Sequence, residues 1–226
     1  MVNCYMKSKI KSFFFDNPLL VIILSALLIQ LLGRYHAADF RIGRYFYVSW
    51  IVLRIAFPLL ILFLLRIPVS QIGLGLPKAD KHLIRIIIFM MVGLPAIFIG
   101  IQLFPGNLNT YANTFGNDSF ARFTNFAFFT ISTLTGWEFL HRGFLLMGIV
   151  YVITKKEGMS RKSAEKIAIS FVWIFEVVFH FIKPEMEAVG MLAGSPLLSY
   201  IALRTNSIWI AFFLHLCVEF IFIFSI

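Results

Sequence analysis

Apolar runs of about twenty residues recur along this chain and limit its possible folds more than any other feature. A helix rises about 1.5 Å per residue, so roughly 20 mostly apolar residues cross a hydrocarbon core of about 30 Å. Seven runs reach or approach that length: 17–33, 46–65, 84–104, 123–153, 165–182, 188–203 and 206–226. They predict an all-α fold, a polytopic transmembrane bundle of about seven helices. The fourth run is long enough to tilt strongly or to project into water. The sixth is short and carries Gly190, Gly194 and Pro196, so a broken or partly inserted helix is expected there. Hydrophobic residues make up 60% of the chain and charged residues only 14%, against about 25% charged in ordinary soluble domains. A soluble domain of 226 residues could not hide that much apolar surface, whereas a bilayer can.

The length fits one domain, divided here into N-terminal helices with an interfacial segment (1–122) and a C-terminal core (123–226). The formal charge of +9 would suit nucleic acid in a soluble protein. Here most Lys and Arg residues lie between apolar runs, where they attract anionic headgroups and set orientation, so a lipid bilayer is the expected partner and nucleic acid is not. Lys7, Lys9 and Lys11 precede the first run; Arg66, Lys78, Lys81 and Arg85 flank the second connection; Lys155, Lys156, Arg161, Lys162 and Lys166 crowd the fourth. Alternation then places the N-terminus in the cytoplasm, with Arg34, Arg41 and Arg44 running against the rule. No small-residue cleavage site follows the basic start, so the first run reads as a permanent helix. The mixed segment 67–82 is expected along the interface, and Asn117-Asp118-Ser119 forms a sequon of little weight. Cys4 and Cys217 form neither a disulfide framework nor a zinc knuckle.

Ionisable residues within apolar helices are costly and usually face the bundle interior for a purpose. Three runs carry them: Glu138 with His141 and Arg142, Glu176 with His180, and His215 with Glu219. Glu138 and Arg142 are four residues apart and share a helix face, as do Glu176 and His180, and His215 and Glu219. Three helices thus each present an acid with a partner one turn away, and facing one another they would line a polar pocket. His141 is expected to point away from that pocket. Arg54 has no obvious partner and is expected to snorkel or to pack structurally.

Glu138-x-x-x-Arg142, His180 and His215-x-x-x-Glu219 resemble the three motifs of the CPBP intramembrane proteases, the CAAX-processing and bacteriocin-processing family. The likeness covers about residues 123–226. It extends to Trp137, Phe139 and Gly143, to Phe181, Lys183, Pro184 and Glu187, and to Leu203-Arg204-Thr205-Asn206-Ser207-Ile208-Trp209. These surroundings resemble one bacterial branch closely, which implies a bacterial cell membrane. The resemblance implies a helical bundle whose buried site hydrolyses a peptide or membrane-protein substrate without a metal or other cofactor. His180 would help to activate water. His215 would donate to the oxyanion with Glu219 as its partner, and Arg142 would hold Glu138. Three positions depart from the family pattern. Trp137 replaces the first glutamate, Glu176 replaces a phenylalanine, and Glu219 replaces an asparagine or aspartate. Glu138 or Glu176 would then have to serve as the base.

Three readings stand at this point: an endopeptidase near the membrane, a catalytically silent scaffold or accessory protein, and a carboxylate–imidazole metal site. The metal reading needs His141 to turn inward, since Glu-x-x-His pairs are the repeating unit of di-iron bundles.

Overall fold

The computed structural model describes residues 16–36, 39–77, 81–102, 115–116, 118–181 and 185–224. The sequence readings on Cys4, Lys7, Lys9, Lys11, Lys78, Asn117, Lys183 and Pro184 fall outside them. The described chain is nearly all α, with seven helices: α1 (Pro18–His36), α2 (Val48–Leu64), α3 (Lys81–Gln102), α4 (Ser119–Lys156), α5 (Arg161–His180), α6 (Glu185–Thr205) and α7 (Ile208–Phe224). Among the described residues, three helical stretches are long and apolar enough to cross a membrane: Pro18–His36, Leu83–Gly100 and Ser119–Lys156. Among the described residues, the strands are those of one short antiparallel hairpin, β1 (Arg41–Ile42) with β2 (Phe46–Tyr47).

α4 is the axis of the fold. Every residue from Gly136 to Val150 is buried, the pattern of a helix surrounded on all sides. Five helices surround it: α1, α2, α5, α6 and α7 all pack on its middle stretch. That stretch is wound as a π-helix over Phe139–Met147, with a second wide turn at Thr130–Leu134. Wide turns of this kind are rare and gather at functional sites. α2 contains a third, Val52–Ala56, with Pro58 two residues beyond its end. Proline has no N–H to give the carbonyl four residues back, which here belongs to Arg54, so the regular ladder is interrupted beside that residue.

α6 is continuous from Glu185 to Thr205 with Pro196 inside it, which corrects the expectation of a broken helix. The segment after α2 also does more than lie along an interface. Ile67 and Ile72 are buried, and three consecutive carbonyls grip the start of α7. Gly73 accepts from the Ile208 amide at 2.9 Å, Leu74 from the Trp209 indole at 2.9 Å, and Gly75 from the Ser207 hydroxyl at 2.8 Å. Gly73 sits at φ +73, a conformation other residues rarely adopt.

α2 meets α4 at Gly136, where an added Cβ would lie 2.9 Å from the Arg54 Cβ. The atom in the way belongs to a rooted part of a side chain, not to its flexible tip. Gly136→Ala should therefore cost about 1–3 kcal/mol through overpacking, read as a lowered melting temperature in detergent. Unchanged melting would mean that α2 shifts freely on α4.

Candidate functional site

The ionisable residues singled out from sequence converge around α4, but with different partners from those their spacing suggests. Glu176 on α5 is fully buried and surrounded by donors. Its Oε1 accepts from the Trp137 indole at 3.0 Å, and its Oε2 accepts from Arg142 Nη1 at 2.7 Å and from the Ser195 hydroxyl on α6. An ionised carboxylate holding three such donors is a tie between α4, α5 and α6. Trp137 thus supplies a donor to an acid on the next helix.

Arg142 is expected to hold Glu138, but its close partner is Glu176. Its Nε lies 3.7 Å from Glu138 Oε2, and neither of those two atoms has a hydrogen bond among the described residues. The Glu176–His180 pairing also needs correction. Four residues of separation put the two on one face, yet the His180 Nδ1–H donates to the Glu176 main-chain carbonyl at 2.7 Å. Its Nε2 lies 3.5 Å from Glu187 Oε1 on α6. The ring meets Trp137 edge-on, with centroids 4.9 Å apart.

Glu138 turns instead to α7. Its Oε1 accepts from His215 Nδ1–H at 2.6 Å, a bond joining residues 77 apart in sequence. That bond fixes the imidazole tautomer and leaves Nε2 directed away from Glu138. His215 Nε2 stands 3.7 Å from Glu219 Oε1, beyond direct hydrogen bonding. His215 and Glu219 lie on the wall of a cavity of about 520 Å³, with Glu187, Phe89 and Gly93 of α3 and Gly194 of α6 also in its lining. Its walls are otherwise mainly apolar. A cavity of about 590 Å³ on the other side of α7, lined by Phe126, Thr130 and Cys217, holds none of the site's ionisable groups.

His141, expected to point away from the pocket, is not part of the cavity lining and turns its Nε2 toward Gln30 on α1, 3.0 Å away. It is fully buried, its ring lies 4.0 Å from that of Trp137, and its Nδ1 is 2.8 Å from the Trp137 carbonyl and 3.7 Å from Glu176 Oε1. Arg54 is also not without partners. It is buried over the rings of Trp50 and Trp137, at 3.3 and 4.8 Å, and it donates to Gln30 Oε1 at 3.2 Å and the Thr133 carbonyl at 3.4 Å. Among the described residues, no group of three His, Cys, Asp or Glu side chains is placed to hold a metal ion.

Sequence reasoning missed Gln30, Ser195 and the donor role of Trp137. Gln30 was detectable as an amide deep within the apolar first run, whereas Ser195 gave no signal beyond its Gly-Ser-Pro setting. Comparison with protein-family models, curated proteins and solved structures finds no match to this chain.

Proposed function

We propose that this chain is a polytopic integral protein of a bacterial cell membrane, its N-terminus cytoplasmic, and an intramembrane endopeptidase of the CPBP kind. The supporting observation is the Glu138–His215 pair, bonded across two helices, with the glutamate fully buried and the imidazole on the wall of the cavity of about 520 Å³. In its neutral form His215 is held by Glu138 Oε1 as the Nδ1–H tautomer, which leaves the lone pair on Nε2. A water held by Nε2 and by Glu219 gives its proton to Nε2 as its oxygen attacks the substrate carbonyl. The new C–O bond forms, and Glu138 stabilises the imidazolium. The C–N bond then breaks as His215 returns the proton to the leaving nitrogen. A base so placed contributes about 10²–10⁴-fold. His180, held at Nδ1 and open at Nε2 toward Glu187, is the second imidazole, suited when protonated to donate to the developing oxyanion. These roles exchange those that the family resemblance implies for the two histidines. Glu176 is too fully bonded to serve as a base, and it acts through Arg142 as the anchor of the α4 side chains.

A second reading, a silent scaffold, draws on Trp137: an indole donor fills the place of the family's first acid and ties down Glu176. One assay separates the two readings. Purified protein in liposomes is offered a quenched peptide library, and wild type is compared with His215→Ala. Cleavage by wild type, lost in a variant of near-native melting temperature, supports the peptidase. Cleavage that survives His215→Ala rules out this mechanism, and absence of cleavage by the wild type favours the scaffold.

A further inference from the structure

The buried polar chain does not stop at the proposed site. From Trp137 it runs outward through His141 to Gln30 on α1 and Arg54 on α2, both outside the family-like region. We propose that Gln30 and Arg54 are positioning residues of the site, setting the tautomer of His141 and, through it, the seating of the Trp137 indole on Glu176. This deepens the peptidase reading in its account of kcat, while its structural half stands apart from that reading.

The donor directions along the chain follow from chemistry. Arginine carries only donors, so the atom of Gln30 that receives Arg54 Nη2 at 3.2 Å is the amide oxygen. The Gln30 nitrogen, 3.0 Å from His141 Nε2, must then donate to it. His141 Nε2 is therefore an acceptor, the ring proton is on Nδ1, and it is donated to the Trp137 carbonyl at 2.8 Å. The imidazole also stacks on the indole, with centroids 4.0 Å apart. Arg54 bears on the same indole from the α2 side at 4.8 Å. Trp137 is thus held by His141, by Arg54 and by Glu176, which accepts its N–H at 3.0 Å. Every link is buried: Gln30 is 3% exposed, Arg54 6%, and His141, Arg142 and Glu176 0%. From Glu176 the chain continues through Arg142 to Glu138 and His215. Resetting the far end would therefore move the near end.

Gln30→Glu is the discriminating variant, because it keeps shape and gives Arg54 an ionic partner but removes the donor that faces His141. The expected result is that His141 acquires a proton at Nε2, seen in the ¹⁵N spectrum of histidine-labelled protein. The Trp137 indole N–H resonance should shift with it, and the melting temperature should stay near that of wild type. In the cleavage assay kcat should fall at least about tenfold, with KM little changed, since neither residue lines the cavity. His141 carrying its proton on Nε2 in wild type would overturn the proposal. So would a Trp137 indole resonance unmoved by Gln30→Glu, or a kcat equal to wild type in an active preparation. The two spectra decide the matter without any cleavage, so failure of the peptidase reading alone would leave a distinct signature. A residue that merely fills space would leave both resonances and kcat in place. If Gln30→Glu fails to fold, the wild-type His141 tautomer and the Trp137 resonance in Gln30→Met decide in its stead: an unmoved resonance there overturns the proposal, and a shifted one supports it.

Discussion

Replacing Glu176 with alanine should lower the melting temperature of the purified protein by roughly 6–20 °C. Removing one partner of a buried ion pair costs about 3–5 kcal/mol, and a chain of this length loses about 2–4 °C per kcal/mol. Arg142 would remain buried without its 2.7 Å partner, and the Trp137 indole and Ser195 hydroxyl would lose their acceptor. The loss comes from stranded groups more than from the bond itself, so removing both charges should do less harm. Arg142→Met combined with Glu176→Leu should recover much of the loss, because an apolar replacement of similar volume strands neither charge. Thermal denaturation in one detergent, over the two single variants and the double, measures the coupling directly. If Glu176→Ala melted with the wild type, the three-helix tie would be of no energetic importance.

Glu138→Gln should reduce kcat by about 10²–10⁴-fold with a smaller loss of stability than Glu176→Ala. The amide keeps the shape and can still accept from His215 Nδ1–H, but it carries no charge to balance an imidazolium. Glu138 does not line the cavity, so KM should change little. Equal falls in kcat and kcat/KM are the sign of an interaction made in the transition state alone. A variant with full kcat would remove Glu138 from the mechanism and leave Glu219 as the remaining acid beside His215.

The sequence made the helices legible because twenty-residue apolar runs leave few alternatives. Their limits shifted by only a few residues, as at 123–153 against Ser119–Lys156. The ionisable residues were legible too, since Glu138, Glu176 and His215 stand out in apolar surroundings. Their pairings were not. A separation of four residues says that two side chains share a face, but not that they prefer each other to a group on a neighbouring helix. Glu176 turned to Trp137, Arg142 and Ser195, and His180 took only its main-chain carbonyl. Arg54 appeared partnerless because it is linked to His141 through Gln30, a neutral residue on another helix. An uncharged hub leaves no electrostatic trace in a one-dimensional reading.

The three carbonyls that hold the start of α7 have a consequence for how the molecule is made. They belong to a turn that precedes their donors by about 130 residues, and the Ser207–Gly75 bond alone closes 132. Closing so long a loop is slow relative to local helix formation. On a growing chain this receptacle emerges long before the helix it receives. Only when that helix is seated does His215 come within 2.6 Å of Glu138. A nascent chain holding α1 to α6 would carry the glutamate without its imidazole, so the pair can form only after α7 has been made.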